Sequence, residues 1–377
     1  MQVGMPPSAQ IHHASTTREE AQAAVRELAD ALGPAPKVVF AFVSSSYDLD
    51  ELGPALQSAF RDACVVACTT AGQIGSNGFQ PTGISAVGLS GPFEAESFVI
   101  DSLTEMADSV KAASNAIRKR VESLPEGHSA FGFLLVDGLS MLEERLAAAL
   151  YMHVGDLSII GGSAGDNLKF EATHVLAGGT FRTNAAVLTV VSTPLPFRTM
   201  KVMHHEPSDQ RLVITAADPE RRIVNQINGK PAAQAYAELV GLPVDALGPE
   251  AFSKHPVVLR VDDRCYIRSI QKILDDESIV FYCAIERGMV LSLARPARVM
   301  ESLTAEFGRV EREIGKPSVI LGCDCILRLL ELEEMGLDDE VGRFFSAANV
   351  VGFSTYGEQV DGIHVNQTFT GIAIGAA

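Results

Sequence analysis

No apolar run in this 377-residue chain approaches the roughly 20 residues that a membrane-crossing helix needs. The opening stretch, MQVGMPPSAQIHH, has neither the basic head nor the apolar centre of a secretory leader. A cytoplasmic protein is therefore expected. Cysteine is scarce: six residues, at 64, 68, 265, 283, 323 and 325, lie mostly in apolar, strand-like runs. That number excludes a disulfide scaffold and predicts reduced thiols. Positive charge is short as well. Thirty Lys and Arg face 47 Asp and Glu, for a net charge of −17. Such a surface repels nucleic acid and anionic bilayers, so neither is expected as a partner. What remains is globular: 47% hydrophobic and 20% charged, at a length that suits two or three packed units.

One string reads as a catalytic signature. In SIIGGSAGDN, Gly161 to Gly165 satisfies G-x-S-x-G, the pattern of a hydrolase nucleophile elbow around Ser163. The elbow recurs, however. KVVFAFVSSS, a helical stretch, CVVACTTAGQIG and GISAVGLSG form one strand–helix–strand–turn–strand series. SAFGFLLVDG, SMLEERLAAALYMHVG, LSIIGGSAGDN and NAAVLTVVS form a second, and PSVILGCDC through TFTGIAIG a third. The fold class is thus α+β, with mixed sheets covered by helices and built from degenerate repeats. The first two strands of each copy should run parallel and the third should return antiparallel.

The turns align as VVACTTAGQ, IIGGSAGD (one residue shorter) and VVGFSTYGE. Each places a hydroxyl, then glycine, then a polar side chain. A hydrolase elbow requires a helix directly after the serine, whereas LKFEATHVLAGGTFRTN looks like a hairpin around Gly178-Gly179. A structural elbow is the preferred reading of Ser163, with a serine hydrolase as the remote alternative. Between copies two and three lies a different, strand-rich region over roughly 197–300. It contains a helix over KPAAQAYAELVG, stopped by Gly241. Near the start, TREEAQAAVRELADALG is a helix, with Thr16 or Thr17 as its candidate cap.

The segment order resembles the FIST sensory proteins. Several strings are closest to the nitric-oxide-sensing haem proteins of that bacterial family, the NosP group: VMHHEPSD, ITAADPERRIVNQINGKPAAQAYAELVG, VFYCAIERGMVL, GCDCILRLLELE and GFSTYGEQVDGIHVNQTFTG. The resemblance implies an N-terminal tail and helix over 1–34, a FIST-N sensory domain over 35–225 and a FIST-C domain over 226–377, in two lobes. It implies a sensor rather than an enzyme, carrying haem b, answering to nitric oxide and possessing no output machinery of its own. The partner would be a histidine kinase or a cyclic-di-GMP enzyme, and a homo-oligomer is open. The alternative is a small-molecule, amino-acid-like FIST sensor without haem.

A haem needs a neutral imidazole on iron and an acceptor that orients it. Of nine histidines, 12 and 13 are expected in an N-terminal tail; 128, 153 and 255 have simpler explanations; 174, 204, 205 and 364 remain. Strand alternation would send His204 and His205 to opposite sides. The family pattern marks His204 as the iron ligand, with His364 second. Arg328 could pair with Glu358 or with a haem propionate. Cys323 and Cys325 share one strand face, where burial is preferred over a metal site.

Overall fold

Each copy folds around a parallel strand pair joined by a helical crossover. The computed structural model describes residues 9–261 and 264–376; the candidate turn at Asp262-Asp263 and the first eight residues lie outside them. Copy one comprises strand Val38–Ser44, helix Leu49–Ala59, strand Cys64–Thr70 and return strand Ile84–Ser90. Copy two comprises Ser129–Val136, Glu143–Val154, Ser158–Ser163 and Ala185–Thr193. Copy three comprises Val319–Cys325, helices Ile326–Met335 and Asp338–Ala347, Val350–Thr355 and Phe369–Ile374. In all three the first two strands are parallel, and the last lies antiparallel against the first. The mixed sheets and covering helices are those the sequence predicts.

Register makes the turns equivalent. Ser44 faces Thr70, Val136 faces Ser163 and Cys325 faces Thr355 at the ends of the three parallel ladders. The gap expected in copy two is absent, because its second strand begins on Ser158 and keeps step with the others.

After each turn the chain makes a short hairpin, and each hairpin joins another copy's sheet. Gln73–Gly75 of copy one pairs with Val350–Thr355 of copy three. Val175–Ala177 of copy two pairs with Cys64–Thr70 of copy one. Glu358–Val360 of copy three pairs with Ser158–Ser163 of copy two. The exchange closes a ring. The turns also bond to one another: Ala71 N–H donates to Ser354 O at 3.0 Å, Gly165 N–H to Thr69 O at 3.0 Å, and Tyr356 N–H to Ser163 O at 3.1 Å.

The inner faces of the three sheets meet in one core. Phe40 and Phe42, Phe133 and Leu135, and Leu321 and Phe353 come from different copies and are fully buried. Phe42 stacks on Phe353 with centroids 4.8 Å apart, and Phe40 meets Phe133 edge-on at 5.1 Å. The outer faces are covered by helices. Leu28, Leu52 and Leu56 cover the first sheet; Ile117, Leu146 and Leu150 cover the second; Leu303, Leu332 and Phe345 cover the third. Strands covered on both faces lose the apolar–polar alternation, which is why VVFAFVS is buried throughout.

A fourth, eight-stranded sheet carries strands His205–Asp218, Ile223–Ile227 and Val290–Pro296, with helix Ala232–Val240 against it. Its core, around Tyr236, Phe252 and Phe281, is its own. This unit is inserted into the three-sheet body. The chain leaves the body after strand Phe197–Val202, which pairs with Phe369–Ile374, and returns at helix Val299–Ile314, whose Val299, Leu303 and Val310 pack in the third sheet's outer core. Packing units and sequence regions therefore do not coincide, since copy three packs with copies one and two.

Two local expectations are corrected. His12 and His13 lie not in a tail but in strand Gln10–Thr16, which pairs with Ile84–Ser90 at the sheet edge. The first helix starts at Ala21 with Glu20 as N-cap; Thr16 ends the strand instead and donates its hydroxyl to Glu27 at 2.9 Å.

Candidate ligand cleft and buried histidine cluster

The chain crosses from the body into the inserted unit at Met203-His204. There it steps out of strand geometry, so alternation no longer governs the side chains. His204 and His205 lie together, ring centroids 4.3 Å apart, rather than on opposite sides. Both reach Glu331 on helix Ile326–Met335. His204 Nε2 is 2.9 Å from Oε2, and His205 Nε2 is 3.2 Å from Oε1. Burial pushes the His204 imidazole down to about 4, more than the neighbouring carboxylate raises it. Burial alone would raise the Glu331 carboxyl, but the two imidazoles beside it hold it down at about 2. A neutral His204 donating Nε2–H to an ionised Glu331 satisfies both directions. Nδ1 of each ring and Nε2 of His205 are buried without a hydrogen-bond partner.

Haem does not fit His204 in this fold. The ring is fully buried, with His205 packed beside it and Glu331 on Nε2. Haem needs a slot against an open ring nitrogen, and neither histidine borders the clefts described below. His364 is equally enclosed. Its Nδ1 is 3.2 Å from Gln359 Nε2 and its Nε2 is 3.5 Å from Asn366 Nδ2. Arg328 does not pair with Glu358; its Nη1 donates to Asp324 at 2.7 Å, both side chains fully buried. Four residues on, at the start of the following helix, it is in reach of that strand carboxylate. Glu358 instead accepts hydrogen bonds from the Thr355 and Thr368 hydroxyls. Cys323 and Cys325 are buried, and all six thiols are free.

Ser163 is a structural elbow. Its side chain is fully buried and its Oγ accepts from Gln359 Nε2 at 2.8 Å. The next regular element is the hairpin strand Val175–Ala177, not a helix.

Open space lies where the body faces the inserted unit. Two adjoining cavities, about 200 Å³ and about 480 Å³, share Leu168, Phe170, Gln271, Tyr282 and Leu327. The body side is formed just past the carboxyl ends of the repeat strands, by Gly138 and Leu139, by Ile326 and Leu327, and by Tyr356. Turns at that end of a sheet are the usual place for a ligand. The inserted unit contributes Phe252, Ser253, Ser269 and Gln271.

The body wall is strained. Met141, Leu168 and Phe170 have φ of 58°, 63° and 55°, a left-handed backbone that L side chains disfavour by about 1 kcal/mol or more each. Asp166, the polar residue of the copy-two turn, holds this loop. Its carboxylate accepts from the N–H groups of Phe170, Glu171 and Ala172 at 2.9, 2.7 and 3.0 Å, and from the Tyr356 hydroxyl. Burial opposes ionisation there, yet these donors keep the carboxyl below its usual range. Phe170 then stacks on Tyr356 with centroids 5.0 Å apart. Beside the cleft, Arg222 of the inserted unit crosses to Glu143 at 2.7 Å and Glu144 at 2.6 Å. Burial pushes the Glu143 carboxyl up to about 7 against the pull of Arg222.

Residues 37–230 match the model for the FIST N domain, and residues 232–361 match that for the FIST C domain. The chain belongs to the FIST family. The boundary between the two matches falls inside the inserted unit, between strand Ile223–Ile227 and helix Ala232–Val240. A relative, the uncharacterized protein MJ1623 of Methanocaldococcus jannaschii, is 24% identical over 303 residues, 71% of this FIST chain. The aligned part spans 58% of that protein's length. Among the described residues, no helix is long and apolar enough to cross a membrane.

The sequence reading missed the residues that shape the cleft. Met141, Leu168 and Phe170 carry no motif, and Tyr282 stands in the string VFYCAIERGMVL without being singled out. The aligned polar position that became Asp166 was the one available signal.

Proposed function

We propose that this FIST protein senses a small, partly apolar organic molecule held between the three-sheet body and the inserted unit. The observation that carries the reading is the strained wall: Met141, Leu168 and Phe170, all left-handed, border the same cleft. Strain of this kind persists where a site is preorganised. Phe170, Phe252 and Leu327 offer apolar surface, while Ser253, Gln271 and Gln367 offer neutral hydrogen-bonding groups. The larger cavity has the size of an ordinary small-molecule site. A compact amphipathic ligand of the amino-acid class suits it. A ligand touching both units favours whichever relative arrangement it binds more tightly, and a few kcal/mol of that preference shifts the population strongly. Output would pass to a separate chain, for which a histidine kinase or a cyclic-di-GMP enzyme is the proposal.

The haem and nitric oxide reading requires an open imidazole at His204 or His364, and the enclosure of both rings favours the cleft instead. Two measurements test the choice. Titration calorimetry with the standard amino acids should find a ligand whose affinity falls at least tenfold in Phe170→Ala, about 1.4 kcal/mol. Purified protein expressed with ample haem should show no stoichiometric Soret band. A nitric-oxide-responsive Soret band lost in His204→Ala, with no amino acid bound, would sink the cleft reading.

A further inference from the structure

We propose that His204, His205 and Glu331 form a binding site for a borderline divalent transition-metal ion, of the zinc or ferrous class. One ligand atom from each residue lies within 4.8 Å of the other two. Two of the separations are shorter: His204 Nε2 to Oε2 is 2.9 Å and His205 Nε2 to Oε1 is 3.2 Å. Nitrogen and oxygen donors bound tetrahedrally at about 2.1 Å lie about 3.4 Å apart, so rotation of one imidazole closes the set. Two imidazoles with one carboxylate suit zinc, ferrous iron or cobalt, whereas magnesium and calcium take oxygen donors.

A second observation points the same way. His205 is 1% exposed, and neither of its ring nitrogens makes an aligned hydrogen bond, although Nε2 lies 3.2 Å from Glu331 Oε1. A buried imidazole left so is costly unless something else satisfies it. The nearby Arg328 charge is matched by Asp324, so it need not repel a cation. The placement also gives the ion a structural consequence. His204 and His205 stand where the chain enters the inserted unit, and Glu331 lies on the body helix whose Leu327, Leu330 and Glu334 border the cleft. An ion here would pin the crossing strand to that helix.

The site is buried, so the test loads the full-length protein in two ways: expression with added cobalt, and refolding of chelator-treated protein with cobalt. The expected result is about one cobalt per chain, with visible d–d absorption that zinc abolishes by competition. Folded His205→Ala and Glu331→Gln should lose the cobalt, while His364→Ala should keep it. Should the first two variants fail to fold, X-ray absorption on wild-type protein decides. A shell containing two imidazoles supports the assignment, and one without imidazole overturns it. Wild-type protein free of cobalt after both routes overturns it, as does undiminished cobalt in folded His205→Ala and Glu331→Gln. The metal reading stands apart from the cleft reading, since Phe170→Ala should leave the cobalt spectrum unchanged.

Discussion

Glu358 shows what a single buried carboxyl does to stability. Burial pushes its pKa up to about 8, against hydrogen bonds from Thr355 and Thr368 that favour ionisation. The folded protein thus keeps a proton that the unfolded chain loses above about pH 4.5, so stability is full at low pH and falls as pH rises through about 8. Glu358→Gln removes this dependence. The variant should exceed wild type by a few kcal/mol at about pH 8.5 and match it near pH 5, as read from urea midpoints. His364 acts in the opposite sense, since burial holds its pKa down at about 4 and acidification below about 6.5 favours the unfolded chain. At this scale the sequence was legible in part. A hydroxyl and a polar residue flanking each glycine marked Ser163, Asp166 and Glu358 as belonging to the turns, and the structure has Asp166 in one, with Ser163 and Glu358 as the strand residues that border two of them. It misplaced His205, because a two-residue departure from strand geometry at Met203-His204 leaves no trace in composition. It also missed Arg328's partner, because Asp324 reads as one more residue of an apolar strand.

Among elements, the loop after Ser163 depends most on a single side chain. Asp166 satisfies three consecutive N–H groups and a phenol, and so holds Leu168 and Phe170 in conformations they would not choose. Asp166→Ala should cost about 1–3 kcal/mol of global stability. More tellingly, amide exchange at Phe170, Glu171 and Ala172 should accelerate strongly while that of strand Ser129–Val136 scales only with the global loss. Equal acceleration at both would show that Asp166 does not hold the loop locally. The repeated strands and crossovers were legible because buried parallel strands are long apolar runs. The hairpin exchange was not, because a three-residue strand has no pattern of its own and its partner is chosen by the closed fold.

For the whole molecule, the junction between body and inserted unit is fastened by buried charge. Arg222 spans it to Glu143 and Glu144. Removing one member of such a group leaves carboxylates buried without their counter-charge, at about 3–5 kcal/mol. Arg222→Ala should therefore lower stability by that order in urea unfolding, and Arg222→Lys should recover part of it. The variant should also become more susceptible to proteolysis in the inserted unit than in the three-sheet body. A uniform increase across both units would place the effect elsewhere.

The ring of exchanged hairpins fixes when this protein can first exist. Ile74, made early in synthesis, pairs locally with Phe79 but meets its partner in another copy, Gly352, much later, and the sheet of copy two is completed by Glu358–Val360. Each of the three body sheets takes a hairpin strand from another copy, so the body has no autonomous first module to bank. Its connectivity is that of three protomers that swapped arms and were then spliced into one polypeptide. The body of such a chain emerges from the ribosome with unpaired edges, and its ring closes late. Loss of the last copy would leave the first two without shelter for their inner faces, and a quality-control protease, rather than a smaller working sensor, would be the destination of the fragment.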